Sequence, residues 1–212
     1  MKVLLIGIGS ISKKYKLIFR SKNIKFVNIS SKLVNHFFLT NKDFIKLSSN
    51  KIIICNKTFD HIKTLKTINK YGFKGHILIE KPLFGSRQSY KPKNFEKIFV
   101  VYNLRFLELI IDLKKKLKNK NILSVLCYTG QNLKLWRKDI DYKSSYSSNL
   151  DEGGGVLRDL SHELNYLFYL FGDLQLIKSI KNPYTGKALK IKSDAERLII
   201  FKYKNTLINL SL

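Results

Sequence analysis

His162 lies in a twenty-residue stretch, GGGVLRDLSHELNYLFYLFG (153–172). Its apolar residues Leu157, Leu160, Leu164, Leu167, Phe168 and Phe171 recur at three- and four-residue intervals. That spacing predicts one helix with a single buried stripe, bracketed by glycines. At about 100° per residue His162 falls almost opposite the stripe. Asp159, Arg158, Asn165, Tyr166 and Tyr169 share its side of the helix. An imidazole titrates near neutrality, so it can take or return a proton at a reacting hydroxyl. Taken alone, the same face also fits ordinary solvated surface.

A second set of residues reads as a phosphate cradle. The apolar run KVLLI (2–6) suits a buried parallel strand. Gly7-Ile8-Gly9-Ser10-Ile11-Ser12 follows, then a helical pattern that places Ile11, Tyr15, Ile18 and Phe19 on one side. Strand, glycine turn and helix are the context of the dinucleotide fingerprint. Gly7 permits the tight turn. Gly9 lets a pyrophosphate approach the backbone where the helix N-terminus, at Ser10 and Ile11, presents its amides. Ser12 stands where the fingerprint has its third glycine, and is small enough for close packing. The next strand, 25–29, ends in Ser30-Ser31-Lys32 rather than an acid. Hydroxyls and a cation suit a ribose 2′-phosphate, so the cofactor reading is NAD(P) with a slight lean to NADP.

These residues need elements to position them. Strands at 51–55, 76–80 and 97–102 alternate with helical patterns such as 60–70, which predicts a doubly wound parallel sheet. Lys81 and Tyr102 fall at the carboxyl ends of two of these strands. A short strand is expected at Phe37–Leu39 and a short helix from Asp43. Beyond residue 103 the pattern changes to a helix at 107–118, a strand at 122–130, an aromatic loop containing Trp136, Arg137 and Tyr146, and the 153–172 helix. Strand-like runs at 175–180, 188–191, 197–203 and 206–212 complete it. The expected fold is α/β: a Rossmann domain over 1–103, then a smaller α+β domain over 104–212 with an open, mostly antiparallel and incomplete sheet.

Composition bounds the rest. The chain has 212 residues, with 40 Lys and Arg against 15 Asp and Glu, a net charge of +25. The excess is mostly Lys, spread along the whole chain and accompanied by Ile and Asn. A/T-rich codon bias accounts for it, with nucleic-acid binding as the lesser alternative. No window holds 18 apolar residues, no signal peptide is visible, and no metal-ligand spacing occurs. Cys55 and Cys127 read as small buried thiols, and the expected compartment is the cytoplasm.

Four stretches in order, GIGSIS (7–12), IEKPL (79–83), YNLRF (102–106) and the 153–172 helix, resemble the Gfo/Idh/MocA oxidoreductases, the family of glucose–fructose oxidoreductase and inositol dehydrogenase. The resemblance covers nearly the whole chain. It implies hydride exchange between NAD(P) and a hydroxyl or carbonyl of a sugar or sugar nucleotide, with surface-glycan synthesis as the setting. It assigns catalysis to Lys81, His162 and Asp159: a base at His162 and an ammonium at Lys81 for developing alkoxide charge. It adds Asn56, His61 and Glu80 to Gly7, Gly9, Ser10, Ile11, Ser30, Ser31, Lys32 and Lys81 as cofactor contacts. Arg105, Trp136, Arg137, Tyr146, Asn165 and Tyr169 become substrate contacts. It further implies a homo-oligomer through the C-terminal sheet and no metal. The chain departs from the family at Ser12, at Asn56-Lys57 where Thr-Pro is usual, in the short interval 82–102, and in ending at Leu212. A nucleotide-binding protein without turnover is therefore the alternative expectation.

Overall fold

The computed structural model describes residues 3–47, 49–85, 90, 95, 97–136 and 140–212. It divides into two compact units, Met1–Val101 and Tyr102–Leu212.

In the first unit five parallel strands, β1 (Val3–Ile6), β2 (Phe26–Ile29), β3 (Lys51–Ile54), β4 (His76–Glu80) and β5 (Lys97–Val101), form one sheet in the order β2-β1-β3-β4-β5. Side chains alternate along a strand, so each apolar strand feeds two cores. Val3, Leu5, Ile53 and Cys55 pack with Phe19 of helix α1 (Ser10–Ser21). Leu4, Ile6, Ile52, Ile54, Ile77 and Ile79 pack on the other side. There they meet Val34, Phe37 and Phe38 of α2 (Val34–Thr40), Phe44 of α3 (Lys42–Lys46), and Leu65 and Ile68 of α4 (His61–Lys70). This is a doubly wound Rossmann-type sheet.

Two details differ from the sequence reading. Phe37–Leu39 is helical: Val34, Phe37 and Phe38, at i, i+3 and i+4, are the buried face of α2. On α1 the inward side is Ser12, Tyr15 and Phe19, whereas Ile11 and Ile18 face outward.

The second unit opens with a turn of 3-10 helix at Asn103–Phe106 and α5 (Glu108–Leu117). Its sheet holds β6 (Ser124–Tyr128), β7 (Gln175–Lys181), β8 (Arg197–Tyr203) and β9 (Thr206–Ser211) in the order β6-β9-β8-β7. β7, β8 and β9 run antiparallel, and β6 joins β9 in parallel. One face carries Val125, Cys127, Ile199, Phe201, Ile208 and Leu210 into a core with Leu167 and Phe171. The opposite face leaves Leu126, Tyr128 and Leu207 exposed.

Three corrections belong here. The stretch 153–172 is two helices, α7 (Val156–Asp159) and α8 (Ser161–Phe171), separated at Leu160. A four-residue α6 (Leu133–Trp136) precedes them. The run 188–191 is not a strand; α9 (Pro183–Leu189) ends there, opened by the Asn182 side chain accepting from the Tyr184 amide. Cys127 is only half-buried and lies 2.9 Å from the Tyr166 hydroxyl.

Candidate functional site

The strand order places a switch point between β1 and β3, and ligands of open α/β sheets bind at the carboxyl ends of strands beside it. Gly7 and Gly9 leave β1 at that point, and Cys55 and Asn56 leave β3. Gly7 has φ +135°, and a Cβ there would lie 2.6 Å from the Cys55 carbonyl oxygen. Its glycine is therefore demanded by the approach of two backbones. A Cβ on Gly9 would meet nothing within 4 Å, so that position faces open space. Gly9 caps α1 without a side-chain hydrogen bond, and the first turn carries no acid. The leading amides of this twelve-residue helix have no intrahelical acceptor. Open space over unused amides at a positive helix end is what a pyrophosphate requires.

Ser12 is fully buried, so the serine preserves the close helix–sheet contact, and its hydroxyl lies 3.4 Å from Asn28 Oδ1. Asn28 itself was missed. Its Nδ2 donates to the Gly7 and Leu5 carbonyls at 2.7 and 3.1 Å, sewing the glycine turn to β2. The signal was present as one amide in the otherwise apolar run FVNI. Ser30, half-buried, precedes a 3-10 turn at Ser31–Leu33 on which Lys32 is exposed. No acid occupies the end of β2.

Around the ends of β3 and β4 the polar groups brace one another. Asn56 Nδ2 donates to Thr64, while Asn56 Oδ1 is buried without a partner among the described residues. His61 is 1% exposed, with Nδ1 and Nε2 each 3.2 Å from a carbonyl oxygen, of Leu83 and Asn56 respectively. Burial holds its pKa below the ordinary value, against the pull of those carbonyls. His61 thus ties the exit of β3 to the Glu80-Lys81-Pro82-Leu83 segment. Tyr15 on α1 donates to Glu80 Oε1 at 2.8 Å. Burial raises the Glu80 pKa, and the Tyr15 hydroxyl and the Lys81 amide pull it back. The Cys55 thiol nearby is pushed up to about 12, first by burial and then by the Glu80 charge. Lys81 is half-buried beside this group, and the Lys81-Pro82 peptide is cis.

In the second unit the triglycine has a mechanical role. A Cβ on Gly154 would sit 2.1 Å from the Tyr146 carbonyl oxygen, and one on Gly155, at φ +111°, 2.2 Å from Asp194 Oδ1. The Gly155 amide donates to the Ser147 carbonyl and the Val156 amide to the Asp194 carbonyl. The Arg158 guanidinium donates to the Leu150 and Gly154 carbonyls, so it fastens this loop. The triplet lets the chain pass beneath the 145–148 turn and start α7 against a segment forty residues downstream.

The expected substrate contacts separate into two groups here. On α8, His162 meets the Tyr102 ring edge-on, with centroids 5.7 Å apart and planes at 90°. One turn on, Asn165 Oδ1 accepts from Arg105 Nε at 2.6 Å. Tyr169 receives the Arg105 guanidinium at 5.5 Å and Lys114 Nζ at 3.8 Å from its ring centre. Trp136 and the buried Asp159 instead line a cavity of about 570 Å³ with Thr129, Gln131, Ser147 and Asp194. His162 is not part of that lining. Tyr146 is the exposed residue of an otherwise buried turn above Gly154, and Arg137 lies outside the described residues. Among the described residues no group of three or more His, Cys, Asp or Glu could hold a metal, and no helix is long and apolar enough to cross a membrane.

The sequence matches no protein-family model and no curated protein. Solved structures share the fold. The WlbA dehydrogenase from Bordetella pertussis, in complex with NADH and UDP-GlcNAcA, is 12% identical with a TM-score of 0.68, covering 100% of this chain and 70% of that one. Levoglucosan dehydrogenase, in complex with NADH, is 18% identical with a TM-score of 0.70, covering 100% and 66%. An NAD-binding protein from Listeria innocua is 13% identical with a TM-score of 0.64, covering 99% and 66%. The chain spans about two thirds of the length of these proteins. Its architecture, a Rossmann-type sheet followed by a mixed-sheet unit, is the fold of these NAD-binding proteins and dehydrogenases.

Proposed function

We propose that the chain is an NAD(P)-dependent oxidoreductase acting on a hydroxyl or carbonyl of a sugar or sugar nucleotide. One observation carries the reading: the open space at Gly9 over the uncapped amides of α1, at the switch point of a parallel sheet. The orphaned Asn56 Oδ1 at the end of β3 adds an acceptor beside it. These residues fit a dinucleotide. Gly7, Gly9, Ser10 and Ile11 hold its pyrophosphate, and Asn56 and Glu80 lie along it. Ser30, Ser31 and Lys32 receive the adenosine ribose, with a lean to the 2′-phosphate form. The nicotinamide, when bound, supplies or accepts a hydride.

The chain's own residues supply the proton chemistry. His162 takes the proton of a carbinol on oxidation and returns it on reduction. Lys81, at the end of β4, supplies an ammonium suited to stabilising developing alkoxide charge. The exposed apolar face of the second sheet, with Leu126 and Tyr128 each 82% exposed, suits association with a second copy.

Titration with NADH and NADPH, followed by nicotinamide fluorescence, tests the proposal; the absence of binding by both overturns it. His162→Ala should abolish turnover and leave cofactor affinity nearly unchanged. Binding without turnover across UDP-sugars, free sugars and inositols would leave nucleotide binding as the function.

A further inference from the structure

We infer that the 102–106 turn is a clamp on α8 and that Tyr102 is a positioning residue for the His162 imidazole. The inference rests on the reading of His162 as the proton-transfer group. His162, Asn165 and Tyr169, at i, i+3 and i+7, form one row along the helix. The turn meets that row at matching spacing, Tyr102 against His162 and Arg105 against Asn165 and Tyr169. The turn is itself closed, the Arg105 amide donating to the Tyr102 carbonyl at 3.3 Å and the Leu107 amide to the Leu104 carbonyl at 3.2 Å. Lys114 on α5 covers Tyr169 at 3.8 Å, so the row is gripped along its length.

A histidine on a helix has two side-chain torsions to fix, and the second is intrinsically broad. An edge-on aromatic partner narrows that breadth, because the ring quadrupoles favour the perpendicular arrangement over its alternatives. The Arg105–Asn165 hydrogen bond holds the turn in register, so the Tyr102 ring stays opposite residue 162. Arg105 and Asn165 therefore act on each other. Their types are explained by this grip: a guanidinium can donate through Nε and stack on Tyr169 at the same time.

The experiment reads the imidazole directly. The chain has four histidines, so His162 ring signals can be assigned in a ¹H–¹⁵N spectrum of the full chain by comparison with His162→Gln. Tyr102→Leu should move those signals toward free-histidine values. It should lower kcat by about two- to tenfold, the range expected of one aromatic pair, with NADH affinity unchanged. Tyr102→Phe should restore both. Should Tyr102→Leu fail to fold, Arg105→Gln removes the second grip and should shift the Asn165 side-chain amide and the His162 signals together. Unmoved His162 signals in the folded Leu or Gln variant, or no rescue by Phe, overturn the clamp. The spectrum decides this without turnover, so a protein that binds no nicotinamide nucleotide refutes the oxidoreductase reading separately.

Discussion

Gly7→Ala and Gly9→Ala are the same change two residues apart, and the structure gives them opposite consequences. At Gly7 the added methyl would meet the Cys55 carbonyl carbon and oxygen at 2.7 and 2.6 Å and the Asn56 amide nitrogen at 2.9 Å, all backbone atoms of the neighbouring strand's exit. The backbone also sits at φ +135°, where a side chain is strained whatever the space. Such strain costs about 1–3 kcal/mol, and overpacking a tight site costs about 1–3 kcal/mol more. Together these are about 2–6 kcal/mol, a large share of the roughly 5–15 kcal/mol that holds a domain folded. At Gly9 the methyl enters open space at φ −80°. The poorer N-cap and the reduced unfolded-state entropy are each worth about 1 kcal/mol or less and oppose one another. Gly9→Ala should therefore leave the urea midpoint nearly unchanged and, under the proposed function, weaken NADH or NADPH binding, because the methyl enters the space assigned there to the pyrophosphate. Urea unfolding followed by far-ultraviolet dichroism, with fluorescence titration of the folded variants, separates the outcomes. Gly7→Ala within about 1 kcal/mol of the parent, or Gly9→Ala binding cofactor as the parent does, would refute the reasoning.

Asn28→Leu removes the donor to the Gly7 and Leu5 carbonyls, and should cost about 1–3 kcal/mol in urea unfolding. His61 is held neutral by burial, so its folded pKa lies below the ordinary value of about 6.5. Its contribution to stability is complete above that value and is lost as pH falls through the lower folded one. The urea midpoint should drop between pH 7.5 and 5.5, and the drop should be smaller in His61→Asn. Burial and the Glu80 charge place the Cys55 thiol at about 12. A thiol reagent at pH 8 should therefore leave Cys55 unmodified in the folded protein and label it on unfolding, as peptide mass analysis would show.

Much of the first unit could be read from sequence because its strands are continuous apolar runs and its turns are marked by glycine. The misreading at 37–39 arose because three consecutive apolar residues fit a short strand as well as a helix. Val34 at the i position of the buried face was the discriminating residue. At 182–189 the local signals were present, an asparagine cap followed by proline. They were outweighed by the apolar residues of 188–191. The long-range anchor of α7 was not legible at all. α7 begins where the Val156 amide bonds the Asp194 carbonyl, and no local pattern encodes a partner so far along the chain. The same limit applies to the site. His162, Asn165 and Tyr169 could be grouped from helical spacing, but their pairing with Tyr102 and Arg105 joins residues about sixty positions apart. Whether a polar residue faces a ligand or another side chain is a tertiary fact.

The two sheets must assemble on different schedules. In the first unit β1 is completed by β2, with Val3 beside Phe26, so pairing can start while little of the chain exists. In the second, β6 lies beside β9, with Ser124 opposite Leu207, and every other element of that sheet is made between them. Closing so long a loop precedes any reward from the contact, which slows such pairings. On a ribosome the first unit can settle early, while the helix bearing His162 waits for the last strands to complete the core beneath it. Cofactor affinity should therefore appear before turnover in a growing or refolding chain.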